Sequence, residues 1–252
     1  MRVTTVGTGT AAPSPGRVQA GHLVESGALR LILDCGSGLA FRFAELGIDW
    51  VSITHLALSH FHADHVIELP TLLTAWRYGT LPPRSAPLEI IGPVGTAGVV
   101  DRLSEAAGVK YREYGFPVTV RELAPGERAT IGDGAAIECR SVPHTPESVA
   151  YSIEADGRRI VYSGDTGSDE GLARWAAGCE LFLCECSLPA SMAVATHLTP
   201  EQVAALAAIA SPKLLALTHL YPPVEQTDIR AVIAAHHPGP VVVAHDGWST
   251  EL

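Results

Sequence analysis

The chain has 252 residues, with 17 lysines and arginines against 27 aspartates and glutamates, giving a formal net charge of −10. That sign is wrong for a general basic surface, so no extended nucleic-acid interface is expected. Hydrophobic residues make up 47% and charged residues 17%, which excludes intrinsic disorder, and with no marked linker the expectation is one domain over residues 1–252.

Met1 to Gly7 reads as a first β-strand, since it carries one basic residue and no apolar run of signal-peptide length. No run of about 18 apolar residues occurs anywhere, so the expectation is a soluble, cytoplasmic protein that does not engage a membrane. Gly7, Gly9 and Ala12 fit the G-x-G-x-x-A dinucleotide pattern. That pattern must open a helix, and Pro13 and Pro15 forbid one here, so the segment reads as a tight loop. Further strands are expected at Leu29–Asp34, His55–Ser59, Leu88–Ile91, Val118–Leu123, Ala135–Val142, Val149–Glu154, Arg159–Ser163, Leu181–Cys186, Leu214–Thr218 and Val241–Ala244. Helical patterns fall at Leu39–Leu46, Leu69–Tyr78, Gly95–Ala107, Asp169–Ala177, Pro200–Ala210 and Glu225–His236. The clearest start is Thr199-Pro200-Glu201-Gln202, with Thr as N-cap, Pro at the first helical position and Gln three residues after the cap. Strands cluster twice along the chain, which suggests two sheets with helices packed outside them. The five cysteines are an odd number and read as small, reduced, buried residues. Strand alternation would put Cys184 and Cys186 on one face.

The segment Ser59-His60-Phe61-His62-Ala63-Asp64-His65 places four potential ligands within six residues, between an apolar strand and a helix. In an extended chain His60 and His62 point the same way and can address one metal, while the following turn swings Asp64 and His65 toward a second. Imidazole and carboxylate suit zinc, manganese or iron(II). Further candidates stand at or just after apolar strands: His144, Asp165 and His219. Strand ends are where neighbouring elements converge on a site.

His60-x-His62-x-Asp64-His65, followed by His144, Asp165 and His219, resembles the metallo-β-lactamase superfamily of dinuclear hydrolases, over Val3 to about Gly247. The resemblance implies an α/β, four-layer αββα sandwich and two divalent metal ions, zinc first, with manganese or iron as alternatives. It implies that His60, His62 and His144 bind one ion, that Asp64, His65 and His219 bind the other, and that Asp165 bridges them. Asp34 matches a supporting aspartate that is not a ligand. Within the superfamily, Leu183-Cys184-Glu185-Cys186-Ser187 and His197-Leu198-Thr199 resemble the phosphodiesterase branch that includes RNase Z. The implied roles are His197 as transition-state stabiliser or proton donor, Glu185 as its holder, and Asp64 also steering the attacking water. A carboxylate-held histidine near a helix N-terminus suits an anionic substrate.

Two departures narrow the reading. RNase Z proper carries a long tRNA-gripping insertion after the third-motif histidine, whereas His144 and Asp165 are 21 positions apart; and the family serine after the last metal histidine is replaced in His219-Leu220-Tyr221-Pro222-Pro223. The expected activity is hydrolysis of a small phosphodiester, cyclic nucleotides included. The alternatives are a lactonase or β-lactamase-type hydrolase, a tRNA 3′-processing endonuclease, or a metal-binding protein without turnover. The resemblance suggests a homodimer. His22, His55, His236, His237 and His245 read as structural, His22 with the option of facing the cleft, and Trp76 and Tyr78 read as core or subunit interface.

Overall fold

A computed structural model describes residues 1–108, 110, 113 and 115–252. Fourteen strands among the described residues form two seven-stranded sheets. The first holds β1 (Arg2–Gly7), β2 (Gly21–Ser26), β3 (Leu29–Leu33), β4 (His55–Ala57), β5 (Leu88–Pro93), β6 (Val118–Leu123) and β14 (Trp248–Glu251), in the order β14-β1-β2-β3-β4-β5-β6. The second holds β7 (Arg128–Ile131), β8 (Ala135–Ser141), β9 (Val149–Ala155), β10 (Arg158–Tyr162), β11 (Leu181–Glu185), β12 (Leu214–Thr218) and β13 (Val241–Val243), in the order β13-β12-β11-β10-β9-β8-β7. Strands β3 to β6 run parallel, as do β10 to β13.

Side-chain alternation divides the core into three layers. Leu31 and Leu33 of β3 face the second sheet, where Tyr151, Ile153, Tyr162 and Leu183 meet them, while Ile32 points the other way. That outer face is covered by α1 (Leu39–Glu45), α3 (Leu69–Tyr78) and α4 (Thr96–Ala106), through Leu39, Phe43, Leu73, Trp76 and Val100. On the far side, Val161, Phe182 and Cys184 pack under α5 (Glu170–Trp175), α6 (Pro200–Ala210) and α7 (Ile229–Ala234). The result is the expected αββα sandwich. Strands buried on both faces read as continuous apolar runs.

Local signals explain most boundaries. Thr199 and Gln202 form the reciprocal capping box, Gln202 N–H reaching Thr199 Oγ1 at 3.4 Å and Thr199 N–H reaching Gln202 Oε1 at 2.9 Å. Cys184 and Cys186 do share the helix-facing side, and all five cysteines are unpaired and buried. Gly7 and Gly9 lead through a loop into a strand, β2, so the rejection of a dinucleotide motif holds. A Cβ on Gly7 would stand 1.9 Å from the Gln19 carbonyl oxygen, which is why glycine is needed there. Three strands lay outside the expectations: β2, β7 and β14. The expected helix over Glu225–His236 is broken at Thr227, which is extended; Asp228 then caps the shorter α7 by accepting from Ala231 N–H at 3.1 Å. Trp76 is core, with its indole N–H donating to the Trp50 carbonyl at 2.7 Å, while Tyr78 is exposed. Among the described residues, no helix is long and apolar enough to cross a membrane.

Candidate metal centre

The ends of β3, β4, β8, β10, β11 and β12 meet in the crease between the two sheets. Beyond β4 the chain leaves its ladder and is tied to the opposite sheet: Tyr151 OH donates to the Leu58 carbonyl at 2.7 Å and Val149 N–H to the Ser59 carbonyl at 3.0 Å. His62 is still extended and sits as N-cap of α2 (Ala63–Val66), a single turn whose first residues carry Asp64 and His65. The chain thus turns where the spacing required it to turn.

All seven candidate ligands named from the sequence converge. One atom each from His60, His62, His144 and Asp165 lie within 4.8 Å of one another, and so do one atom each from Asp64, His65 and His219. Asp165 Oδ2 stands between the groups, 3.3 Å from His65 Nε2, 3.5 Å from His219 Nε2, and 3.8 Å from both His60 Nε2 and His144 Nε2. Asp64 Oδ2 is 3.4 Å from His219 Nε2, and His62 Nδ1 is 3.0 Å from His144 Nε2.

Five of the imidazoles, those of His60, His65, His144, His197 and His219, are oriented from behind. Asp34, in the left-handed region at φ 59°, accepts from Ser59 N–H at 2.6 Å on one oxygen, and from Ser59 OH at 2.8 Å, His65 Nδ1–H at 2.8 Å and Tyr162 OH at 2.7 Å on the other. Ser59 Oγ in turn lies 3.0 Å from His60 Nδ1. Asp34 therefore fixes His65 directly and His60 through a serine, leaving both Nε2 atoms turned to the cluster. Glu185 repeats this arrangement on the other sheet. It takes His197 Nδ1–H at 3.1 Å, Thr166 N–H at 2.6 Å, Leu198 N–H at 3.1 Å and the Ser187 hydroxyl, whose oxygen lies 3.0 Å from His219 Nδ1. His144 Nδ1–H donates to the Thr196 carbonyl at 2.9 Å.

Burial drives the His60 imidazole down to about 2, with His65 adding to the effect, so it is neutral and keeps a lone pair for a cation. For Asp165 burial works upward, but the charges of His219 and His65 outweigh it and hold the carboxyl well below its usual range. His65 shows the converse: burial lowers it, yet Asp165 and Asp34 raise it well above normal. His197 is likewise lowered by burial and raised, on balance, by Glu185. Two atoms of the cluster, His60 Nε2 and Asp165 Oδ1, are buried without a hydrogen-bond partner, at a cost of about 1–3 kcal/mol each that coordination would remove. Carboxylates and imidazoles without a thiolate fit divalent cations, and the residues present fit a pair of them.

His197 and Glu185 also fall where the sequence placed them, with a ring nitrogen of His197 within 4.8 Å of ligand atoms of Asp165 and His219. His22 does not face the cleft. It is fully buried behind the centre, edge-on to Tyr162 with ring centroids 5.1 Å apart. His55 pairs instead with Glu89 at 3.5 Å. Sequence reasoning passed over Ser59, Tyr162, Thr166, Ser187 and Tyr221; the signal available was that each stands within three residues of a ligand or its holder at a strand end. A groove of about 490 Å³ lined by Arg2, Glu25, Arg30 and Asp49 opens at the opposite end of β3. Both arginines there are paired with Glu25, so it offers no unspent chemistry.

Residues 29–220 match the β-lactamase superfamily domain. Ribonuclease Z of Mycobacterium bovis (strain BCG / Pasteur 1173P2) is 31% identical, covering 100% of this chain and 98% of its own length. Among solved structures, the metallo-β-lactamase fold protein YhfI of Bacillus subtilis superposes with a TM-score of 0.84 at 22% identity, over 99% of this chain and 98% of its own. Human tRNase Z, short form, superposes with a TM-score of 0.81 at 25% identity, over 100% and 99%. The chain therefore belongs to the metallo-β-lactamase superfamily, as a ribonuclease Z-like, metal-dependent hydrolase.

Proposed function

We propose that the chain is a dinuclear phosphodiesterase acting on small phosphodiesters, cyclic nucleotides among them. The observation that carries this reading is the Glu185–His197 pair beside the ligand cluster. With Nδ1 engaged by Glu185, Nε2 is the free nitrogen of His197, and a proton donor of fixed orientation suits departure of an alkoxide from phosphorus. His60, His62 and His144 would hold one cation and Asp64, His65 and His219 the other, with Asp165 shared, zinc being the first choice over manganese or iron(II). When bound, such a pair supplies Lewis acidity to the phosphoryl oxygens and lowers the pKa of the attacking water.

The protein's own groups do the rest. Asp64 accepts from the attacking water and steers it, Asp165 keeps four imidazoles turned to one point, and His197 delivers a proton from Nε2 to the leaving oxygen. Glu185 holds the positive charge His197 carries before that transfer.

Three features favour a small substrate. The hairpin between His144 and Asp165 closes in two residues, Asp156 and Gly157, both left-handed at φ 52° and 68°, so no arm projects there. The net charge is −10. The ion-pair partners of Asp64, Asp165 and Glu185 are all histidines. tRNA 3′ processing is the second reading, favoured by the name and 31% identity of the mycobacterial relative. A homodimer, tested by sedimentation, and a cytoplasmic location, consistent with five unpaired cysteines, complete the proposal.

The test is hydrolysis of bis(p-nitrophenyl) phosphate and of cyclic nucleotides by protein loaded with zinc or manganese, with Asp165→Ala as control. A lactone, a chromogenic β-lactam and a tRNA precursor with a 3′ trailer run beside them. Diester turnover lost in the variant supports the reading. Lactone or lactam cleavage alone overturns it, and trailer removal outpacing the small diesters moves the assignment to the second reading.

A further inference from the structure

Two residues after His219 the chain presents Tyr221, whose ring stands at the centre itself. Its centroid is 5.8 Å from His219 and 6.2 Å from His197, at interplanar angles of 84° and 72°, while those two imidazoles stack 5.7 Å apart at 16°. The ring is half-buried and edge-on to both imidazoles, which places it beside the cluster.

The backbone that carries it is fixed from three sides. Tyr221 N–H donates to the Ser187 carbonyl at 3.2 Å, Val224 N–H to the Tyr221 carbonyl at 3.0 Å, and Leu220 N–H to the Thr8 carbonyl at 3.1 Å. Thr8 is itself pinned, its N–H donating to Asp246 Oδ1 at 2.9 Å. Pro222 and Pro223 follow, restricting φ where the chain leaves the site. A phenol hydroxyl can donate to an anionic oxygen. It enters a cleft where, among the described residues, the ion-pair partners of Asp64, Asp165 and Glu185 are histidines, and where the Ser187 hydroxyl beside His219 is already given to Glu185.

We propose, resting on the phosphodiesterase reading above, that Tyr221 is a substrate-contacting residue whose hydroxyl donates to a non-bridging phosphoryl oxygen. His197 serves the leaving oxygen; Tyr221 serves an oxygen that stays on phosphorus. The two roles separate experimentally, because a bond to a non-bridging oxygen is indifferent to the leaving group, whereas protonation is not.

Tyr221→Phe keeps the ring and its packing and removes only the hydroxyl. Two readouts are needed: calorimetric binding of phenylphosphonate to the zinc-loaded protein, and kcat/KM for aryl and alkyl phosphodiesters. Both are expected to fall about tenfold, by the same factor across leaving groups, with metal content unchanged. Phosphonate affinity within twofold of wild type overturns the assignment, as does a loss that grows with leaving-group pKa, or a loss of bound metal. Should the wild-type protein fail on diesters while Tyr221→Phe still weakens phosphonate binding, the phosphodiesterase reading falls and the Tyr221 contact stands.

Discussion

Replacing Asp34 by Asn tests whether one buried carboxylate holds half of the centre. Asn tolerates the left-handed φ of 59° found there, so the backbone should survive. The amide, however, has one oxygen where the carboxylate had two. With that oxygen facing Tyr162 OH, His65 Nδ1–H and Ser59 OH, the NH2 group meets Ser59 N–H, which now sits 2.6 Å from Asp34 Oδ1. Two buried donors then face each other, a destabilisation of about 1–3 kcal/mol, and each kcal/mol should lower Tm by about 2–4 °C in a chain of this size. The larger effect is on the imidazoles: His65 loses an anionic partner, and His60 loses the charge behind Ser59, so metal affinity should drop about 10–100-fold. Melting in chelator reads the first quantity, and competition against a chelator of known affinity reads the second. A variant with unaltered Tm and zinc affinity within twofold of wild type would refute the claim that Asp34 orients these ligands.

Asp165→Ala should lower metal content below two per chain as well as abolishing turnover, and elemental analysis showing full occupancy contradicts the shared-ligand role. His197→Ala should cost much more on alkyl leaving groups than on nitrophenolate, whose departure needs no proton; equal losses rule out proton donation. Gly167→Ala should impair kcat while leaving the core stable, because a Cβ there would lie 2.0 Å from the Ala195 carbonyl oxygen and must push away the segment whose Thr196 carbonyl holds His144; unchanged kinetics would show that segment to be freely adjustable. Arg84→Lys should destabilise by about 2–4 kcal/mol, measured by urea unfolding, with no change in metal content. The buried Arg84 guanidinium donates to the carbonyls of Val51, Ile53, Ala86 and Pro87 and lies 5.4 Å from the rings of Trp76 and Phe116, and an ammonium cannot serve four divergent acceptors.

What the sequence revealed about the site follows from where its chemistry is local. Four candidate ligands in six residues need no knowledge of the fold to be noticed, and Thr199 with Gln202 is equally local. β2 escaped because Gly21 and His22 break its apolar run directly after a glycine loop, and His22 is buried only because Tyr162 and Thr218 close over it. β7 and β14 are sheet edges, where half-exposed positions carry polar residues and the alternation fades. Tyr162 was passed over, and by packing it is a core aromatic. Its bond to Asp34 joins residues 128 positions apart, and no periodicity encodes such a pairing.

The two holders, Asp34 and Glu185, explain why the site sits in the crease between sheets rather than on either one. Each carboxylate lies at the end of a strand in its own sheet, and each orients one histidine directly and another through a serine: His65 and His60 by Asp34 and Ser59, His197 and His219 by Glu185 and Ser187. The two sheets are also joined at this level. Asp34 needs Tyr162 from the second sheet, and Leu220, beside His219, is tied to Thr8 from the first. The left-handed φ of 59° at Asp34 and 54° at His219 is the local strain of aiming two side chains across that boundary, a cost of roughly 1–3 kcal/mol each. The hydrogen bonds spanning the crease hold that strain in place. Closing the sandwich and building the centre are thus one event, and variants that loosen the crease should lose metal before they lose secondary structure.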